Sequence, residues 1–250
     1  MTLRVACLGD SITRAQVSVD YLEPLARRHG TGALLLSRFG VNGDFAYNLL
    51  QRLDPVIASS PDVITVLIGT NDARASLPGY PVERVMQRKG LPTRPSAAWY
   101  QECLVAVVER LRAETGARVG LLSLPVLGQD LTGPAAQASA GYSRMIAEVA
   151  DARELAYLPL HERQVEQIRR AGARSIPYRE AAHPAFNSTV LQRFVLRRSL
   201  DAISRRRDLL LTTDHIHQNS RGAATIAEVI ERSSLMKPIT GRFPESENED

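Results

Sequence analysis

Three short polar clusters in the sequence carry side chains that could perform acyl transfer. They are Gly9-Asp10-Ser11, Gly69-Thr70-Asn71-Asp72 and Asp214-His215-Ile216-His217. A serine hydroxyl is a weak nucleophile until a base removes its proton, and a histidine with a pKa of about 6.5 suits that task near neutrality. His217 is therefore the candidate base for Ser11. Asp214, three residues upstream, is the candidate acceptor that holds the other ring nitrogen and stabilises the imidazolium.

Attack of a serine on an ester carbonyl also requires hydrogen-bond donors for the oxygen that becomes negative. The sequence offers the side-chain amide of Asn71 and the backbone amides of Ser11 and Gly43. Gly43 follows a predicted strand, and its lack of a side chain would let a substrate oxygen approach the backbone. The residue types therefore predict hydrolysis of a carboxylic ester through an acyl-enzyme.

Three further polar residues lie in or beside these clusters. We expect Asp10 to shape the turn before the serine, and Asp72 and Asn219 to cap or brace neighbouring loops, because short polar side chains bond readily to nearby backbone. These residues are assigned supporting roles rather than proton transfer.

The elements that must position these clusters alternate between strand and helix. Apolar runs predict strands at residues 3–8, 33–36, 63–68, 119–124 and 155–160. Helical spacing predicts helices at 20–30, 45–53, 96–116, 142–149 and 220–230. Such alternation predicts an α/β fold with a parallel sheet covered on both faces, where ligands bind at the carboxyl ends of the strands. Two of the polar clusters directly follow predicted strands, and the third precedes the last predicted helix.

Two segments interrupt the alternation, at residues 73–94 and 161–213. The second is too long for a loop without structure, and its apolar spacing predicts a helix over 188–203. This helical insertion could be a lid over the site or an extra helix on the sheet edge. Residues 237–250 are polar and acidic, which predicts a mobile tail after a single domain spanning 1–236.

Composition narrows the class of protein. The 250 residues carry a formal net charge of only +4, which gives no support for nucleic-acid binding. No apolar run reaches the roughly 18 residues of a spanning helix, so we expect a soluble, cytoplasmic protein without a transmembrane segment. The two cysteines, Cys7 and Cys103, are expected to be buried thiols rather than a disulfide.

The clusters resemble the four sequence blocks of the SGNH, or GDSL-type, hydrolase superfamily of esterases and lipases. The resemblance extends from Leu3 to about residue 235, with Ile12 in place of the leucine of the family's name. It implies a flavodoxin-like three-layer sandwich with a five-stranded parallel sheet. It also implies a triad of Ser11, Asp214 and His217 that needs no metal or cofactor.

The same resemblance implies that the oxyanion hole consists of the Ser11 amide, Asn71 and a glycine of the second block. Gly43 is the assignment for that glycine, and Gly40 is the alternative. The implied ligand is a small-molecule ester, with short acyl or acetyl groups favoured. The resemblance leaves the acyl and alcohol specificity of the substrate and the oligomeric state open.

Two other functions remain open from the sequence. His215 and His217 beside Asp214 could bind a metal together with His161 or His183. A metal-dependent hydrolase of this kind would leave the serine and asparagine blocks without a role. His215 is therefore interpreted as a loop residue. The fold could also serve as a non-catalytic binding module that holds an anionic partner on the arginine-rich region 193–207.

Overall fold

The computed structural model describes residues 2–29, 32–178, 180 and 188–237. Within these ranges, five strands form a parallel sheet in the order β2-β1-β3-β4-β5. The strands are β1 (Leu3–Gly9), β2 (Leu34–Gly40), β3 (Val63–Leu67), β4 (Arg118–Leu122) and β5 (Ala156–Leu158).

Helices follow or connect these strands. They are α1 (Ser11–Arg14), α2 (Leu22–His29), α3 (Ala46–Leu50), α4 (Asp54–Ala58), α5 (Thr70–Ala75), α6 (Val82–Lys89), α7 (Ala97–Glu114), α8 (Pro134–Ala152), α9 (Leu160–Arg170), α10 (Leu200–Arg206) and α11 (Ser220–Glu231). A π-helical turn spans Leu191–Val195, and a 3-10 turn spans Ser234–Met236. The expected helix before Gly116 is present as α7, whose first turn is capped by Ser96.

Alternate residues of the buried strands face opposite layers of helices. Ala6, Leu8 and Ile64 belong to the core cluster that contains residues of α3, α7 and α8. Val5 and Cys7 belong to the second cluster, which contains residues of α2 and α11. Successive side chains of a strand point to opposite faces, and helices cover both faces, so the central strands β1 and β3 are largely apolar on both sides. The predicted flavodoxin-like three-layer sandwich is confirmed, and both cysteines are buried free thiols.

The strand order places the candidate site at a topological switch point. From β1 the chain passes to β2 on one side and then returns to β3 on the other side of β1. The connections therefore diverge between β1 and β3, which opens a crevice at their carboxyl ends. Ser11 follows β1 and Asn71 follows β3, so the fold brings these two residues to neighbouring positions.

The second strand and the helix after it differ from the expectation. β2 continues to Gly40 and pairs with β1 along its whole length. The prediction ended too early because Ser37 and Arg38 are polar, which an edge strand tolerates on its partly exposed face. The helix expected over 45–53 is shorter, because α3 ends at Leu50 and the next helix, α4, begins only at Asp54; the side chain of Asp44 makes no capping bond to α3.

The helix expected over 188–203 is also divided. A helical segment that ends in the π turn precedes α10, and between them Arg197 has a positive φ of 51°. Leu200 and Ile203 are buried as expected, whereas Leu191, Phe194 and Val195 are exposed and Val190 is half-buried. The domain limits stay a prediction, and apart from Lys237 the acidic tail at 237–250 lies outside the described residues.

Candidate active site

Ser11 is held at the end of β1 by a tight turn. The backbone passes so close to its neighbours that a Cβ on Gly9 would lie 2.3 Å from Thr13 Oγ1 and 2.5 Å from the carbonyl oxygen of Leu67. Asp10 then accepts a hydrogen bond from the Ile12 amide through Oδ1 at 2.9 Å. The carboxylate thus caps the turn, and Ser11 becomes the first residue of α1.

Asp214 and His217 share one short loop before α11. The Thr213 amide donates to the carbonyl oxygen of His217 at 2.7 Å, which closes the loop. Asp214 Oδ1 accepts from the backbone amide of His217 at 2.9 Å. Asn219 caps α11 by accepting from the amides of Arg221 and Gly222. The loop geometry is thus fixed by local hydrogen bonds within a few residues.

The side chains of Ser11, His217 and Asp214 form one continuous chain of hydrogen bonds. Ser11 Oγ lies 2.9 Å from His217 Nε2, and His217 Nδ1 lies 2.8 Å from Asp214 Oδ2. A carboxylate only accepts, so Nδ1 carries the proton and Nε2 is left to accept from the serine hydroxyl. Asp214 and His217 are almost fully buried, at 0% and 3% exposure, which protects these hydrogen bonds from water.

The two candidate oxyanion donors outside α1 lie at the same cavity. Asn71 is buried, and its Nδ2 donates to the carbonyl oxygen of Asp44 at 3.0 Å and faces Asp10 Oδ2 at 3.4 Å. Gly43 has a φ of 73° and lines the cavity beside Ser11. Gly40 does not line it, because this residue packs against the α1 backbone, where a Cβ would lie 2.3 Å from the Arg14 amide nitrogen.

The chain matches a known family of hydrolases over most of its length. The profile of the GDSL-like lipase/acylhydrolase family matches residues 7–224, which include all three polar clusters. The chain belongs to this family. The resemblance noted from the sequence is confirmed, and the protein is a serine-type carboxylic ester hydrolase. Among curated proteins, none gives a significant match.

Solved structures share the fold of this GDSL-like hydrolase at low sequence identity. The acetylxylan esterase Axe2 from Geobacillus stearothermophilus is 15% identical, with a TM-score of 0.64 over 92% of this chain and 93% of that chain. The acetyl xylan esterase AlAXEase is 19% identical, with a TM-score of 0.60 over 91% and 98%. LAE5, an alpha/beta hydrolase enzyme from the metagenome of Lake Arreo, Spain, is 17% identical, with a TM-score of 0.61 over 92% and 95%.

The cavity above Ser11 of the GDSL-like hydrolase has a volume of about 1150 Å³. Its wall contains apolar side chains from α6 and from the 188–195 segment, together with more basic than acidic groups. The basic residues are Arg74, Arg84, Arg88 and Lys89, and the acidic residue is Glu180. The insertion thus supplies part of the wall, while its action as a lid stays a prediction.

Among the described residues, none of the helices is long and apolar enough to span a membrane.

Sequence reasoning did not identify three charged residues beside the candidate oxyanion donors Asn71 and Gly43. Lys89 donates to the carbonyl oxygen of Asn42 at 2.6 Å and to Asp44 Oδ1 at 2.9 Å, which holds the loop of Gly43. Arg74 donates to Asn71 Oδ1 and forms an ion pair with Glu180. Arg74 could have been noticed as the i+3 neighbour of Asn71 on a helix, but no local signal marks Glu180.

Among the described histidines, none joins His217 in a metal site. His215 packs its ring against Tyr178, with centroids 5.5 Å apart, and His161 Nδ1 lies 3.2 Å from the carbonyl oxygen of Leu124 at a separate cavity. Within the described ranges, no group of three His, Cys, Asp or Glu side chains is arranged to hold a metal. His183 falls outside those ranges.

Two buried carboxyl groups lie beneath the site. Burial raises the pKa of Asp10 to about 6 and that of Asp72 to about 8. Asp72 accepts from the Ala46 amide at 3.2 Å, so it braces the start of α3 from the first turn of α5. A carboxyl with a raised pKa keeps its proton in the folded state after the unfolded chain has lost it.

This linkage predicts a pH-dependent stability. As pH rises from about 4 to about 8, the Asp72 carboxyl loses its proton in the unfolded chain but keeps it in the folded protein. Ionisation therefore favours the unfolded state, and the free energy of unfolding should fall over this pH range. Asp72→Asn keeps an acceptor for Ala46 and removes the titration. Urea unfolding at pH 5 and at pH 8 gives the change in the free energy of unfolding between the two pH values. We expect this decrease to be smaller in the variant than in the wild type, by about 1 kcal/mol or more. Asp54→Asn, at an exposed carboxylate, is the control, and equal pH slopes for wild type and Asp72→Asn would contradict the prediction.

Proposed function

We propose that the protein hydrolyses carboxylic esters through a catalytic triad of Ser11, His217 and Asp214. Ser11 Oγ attacks the ester carbonyl while its proton passes to His217 Nε2, and a tetrahedral intermediate forms. The carbon–oxygen bond to the alcohol then breaks, and the same proton is delivered to the leaving alkoxide. Water repeats the sequence on the acyl-enzyme and releases the carboxylic acid.

The oxyanion of each intermediate is bound by the amides of Ser11 and Gly43 and by Asn71 Nδ2. The positive φ of Gly43 and its position in the cavity wall support this assignment over Gly40. Asn71 makes one good bond to Asp44 and one long contact of 3.4 Å to Asp10. We expect a substrate oxygen to replace that long contact. Preorganised donors of this kind contribute about 3 to 4 kcal/mol each to transition-state binding.

One observation carries the proposal. A serine and a histidine separated by 206 positions in the chain lie 2.9 Å apart, and the histidine's other nitrogen faces a buried carboxylate. Both roles of the imidazole are therefore satisfied at once, as a general base toward Ser11 and as a donor toward Asp214. No rearrangement of the loop is needed before the first proton transfer.

The proposed substrates are esters of short acyl groups, with acetyl favoured. Two of the similar structures are acetylxylan esterases, which supports acetyl transfer although identity is below 20%. A series of p-nitrophenyl esters from acetate to octanoate tests the acyl preference. We expect kcat/KM to be highest for acetate or butyrate, and a maximum at octanoate would overturn the acyl assignment.

The experiment that tests the reaction itself compares Ser11→Ala with wild type on p-nitrophenyl acetate. We expect the variant to lose at least about 10⁴-fold in kcat with an unchanged circular dichroism spectrum. A second arm treats the wild-type enzyme with EDTA and with a serine-directed organophosphate. Inhibition by the organophosphate alone supports the triad, whereas loss of activity in EDTA would favour the metal-dependent hydrolase.

A further inference from the structure

Arg74 connects the candidate oxyanion donor Asn71 to the inserted segment. Asn71 and Arg74 lie three residues apart on α5, so their side chains share one helix face. Arg74 Nη1 donates to Asn71 Oδ1 at 3.2 Å. Its other side makes a two-point contact with Glu180, from Nε to Oε2 at 3.1 Å and from Nη2 to Oε1 at 2.6 Å.

These contacts determine which end of the Asn71 amide faces the reaction. A guanidinium only donates, so the amide group that faces Arg74 must be the oxygen. The NH₂ end is then directed to the opposite side, where it meets Asp44 and Asp10. Rotation of the amide by half a turn would set NH₂ against the guanidinium and remove the donor from the oxyanion side.

Arg74 is itself held firmly. Its side chain is 18% exposed and that of Glu180 is 4% exposed, so the two charges pair away from bulk water. Although burial opposes the charged form, Glu180 and Tyr178 hold the pKa of Arg74 above its usual value. The hydroxyl of Tyr178 also donates to Glu180. Two-point pairing leaves the guanidinium plane little freedom.

We propose that Arg74 is a positioning residue that fixes the Asn71 amide with its NH₂ group toward the oxyanion, and that Glu180 of the inserted segment holds Arg74 for this purpose. The inference rests on the proposed function, since it assigns Asn71 to the oxyanion hole. It gives the insertion a defined contribution to the reaction. The contribution acts on the transition state rather than on binding of the uncharged ester.

The test is a double-mutant cycle between Arg74→Gln and Asn71→Ala, with kcat and KM measured on p-nitrophenyl acetate. Loss of one oxyanion donor costs about 10²- to 10³-fold in kcat. Arg74→Gln leaves the Asn71 amide in place but frees its orientation, so we expect a smaller loss of about 10- to 100-fold in kcat with little change in KM. In the Asn71→Ala background, the same substitution should cost less than about two-fold, because the amide it orients is gone. Glu180→Gln should give a smaller loss in the same direction.

Arg4→Gln is the matched control. Arg4 makes the same two-point contact with a buried carboxylate, Asp62, from β1 and far from Asn71 in sequence. We expect its kcat to equal that of wild type, and thermal unfolding of each variant shows whether the fold is retained. If Arg74→Gln proves unstable, the Glu180→Gln and Asn71→Ala cycle decides by the same criterion.

Two results would overturn the inference. One is a kcat loss from Arg74→Gln that persists in full without Asn71, which would indicate a structural or direct substrate role. The other is an unchanged kcat for Arg74→Gln, in an enzyme whose activity is still abolished by Ser11→Ala. Full activity of Ser11→Ala would instead overturn the proposed function, and this inference with it.

Discussion

His217→Ala is expected to lower kcat for p-nitrophenyl acetate by about 10⁴- to 10⁶-fold, with little change in KM. In the proposed mechanism the imidazole accepts the proton of Ser11 and returns it to the leaving group, and the described residues place no second base within hydrogen-bond distance of Ser11 Oγ. Members of a triad act as a unit, so removing the base removes nearly all the benefit of the serine. Residual turnover should come from the oxyanion donors alone.

His29→Ala is the control for this substitution, because His29 ends α2 and is not among the residues that line the Ser11 cavity. We expect its kcat to match that of wild type. The mutant His217→Ala should keep the near-ultraviolet circular dichroism of the native protein. If His217→Ala retains kcat within about ten-fold of wild type, His217 is not the general base.

Asp214→Asn is expected to lower kcat by about 10⁴-fold. The amide oxygen can still accept from the His217 backbone nitrogen, as Asp214 Oδ1 does at 2.9 Å. The NH₂ group, however, would donate toward His217 Nδ1, so the ring proton would move to Nε2. An imidazole protonated at Nε2 cannot accept from Ser11 Oγ.

Asp214→Ala separates this tautomer effect from support of the loop. If Asp214 served only to hold the backbone of the loop, Asn would preserve activity and Ala would lose it. We expect both variants to lose activity to a similar degree, measured as kcat on the same ester. Asp201→Asn, which alters an acceptor of the Ser220 amide outside the triad, should leave kcat unchanged.

Much of the fold and of the candidate site followed from local sequence signals. The strand runs predicted a parallel sheet, and residues that follow neighbouring parallel strands must meet at one edge. Ser11 and Asn71 could therefore be placed together although 60 positions separate them in the chain. Asp214 and His217 could be paired because the spacing Asp-x-x-His closes within one loop.

Other features depend on contacts between distant segments, and the sequence does not identify the partners in those contacts. Asp72 braces α3 by bonding to Ala46, 26 positions earlier in the chain. Asp44 is adjacent to the start of α3 and would be a suitable cap, yet its carboxylate is bound by Arg52 and Lys89 instead. Hydrogen-bonded ion pairs with two cations outweigh a bond to a backbone amide when the fold brings those cations within reach.

The sequence by itself determined the family, the layered α/β architecture and the residue types available for acyl transfer. Only the tertiary structure decided that Gly43 rather than Gly40 faces the cavity, that the 188–203 region is interrupted, and that Glu180 holds Arg74 beside Asn71. The physical reason is the range of the interactions. Periodicity, capping and turn chemistry act over a few residues, whereas the ion pair that holds Arg74 beside Asn71 joins residues 106 positions apart.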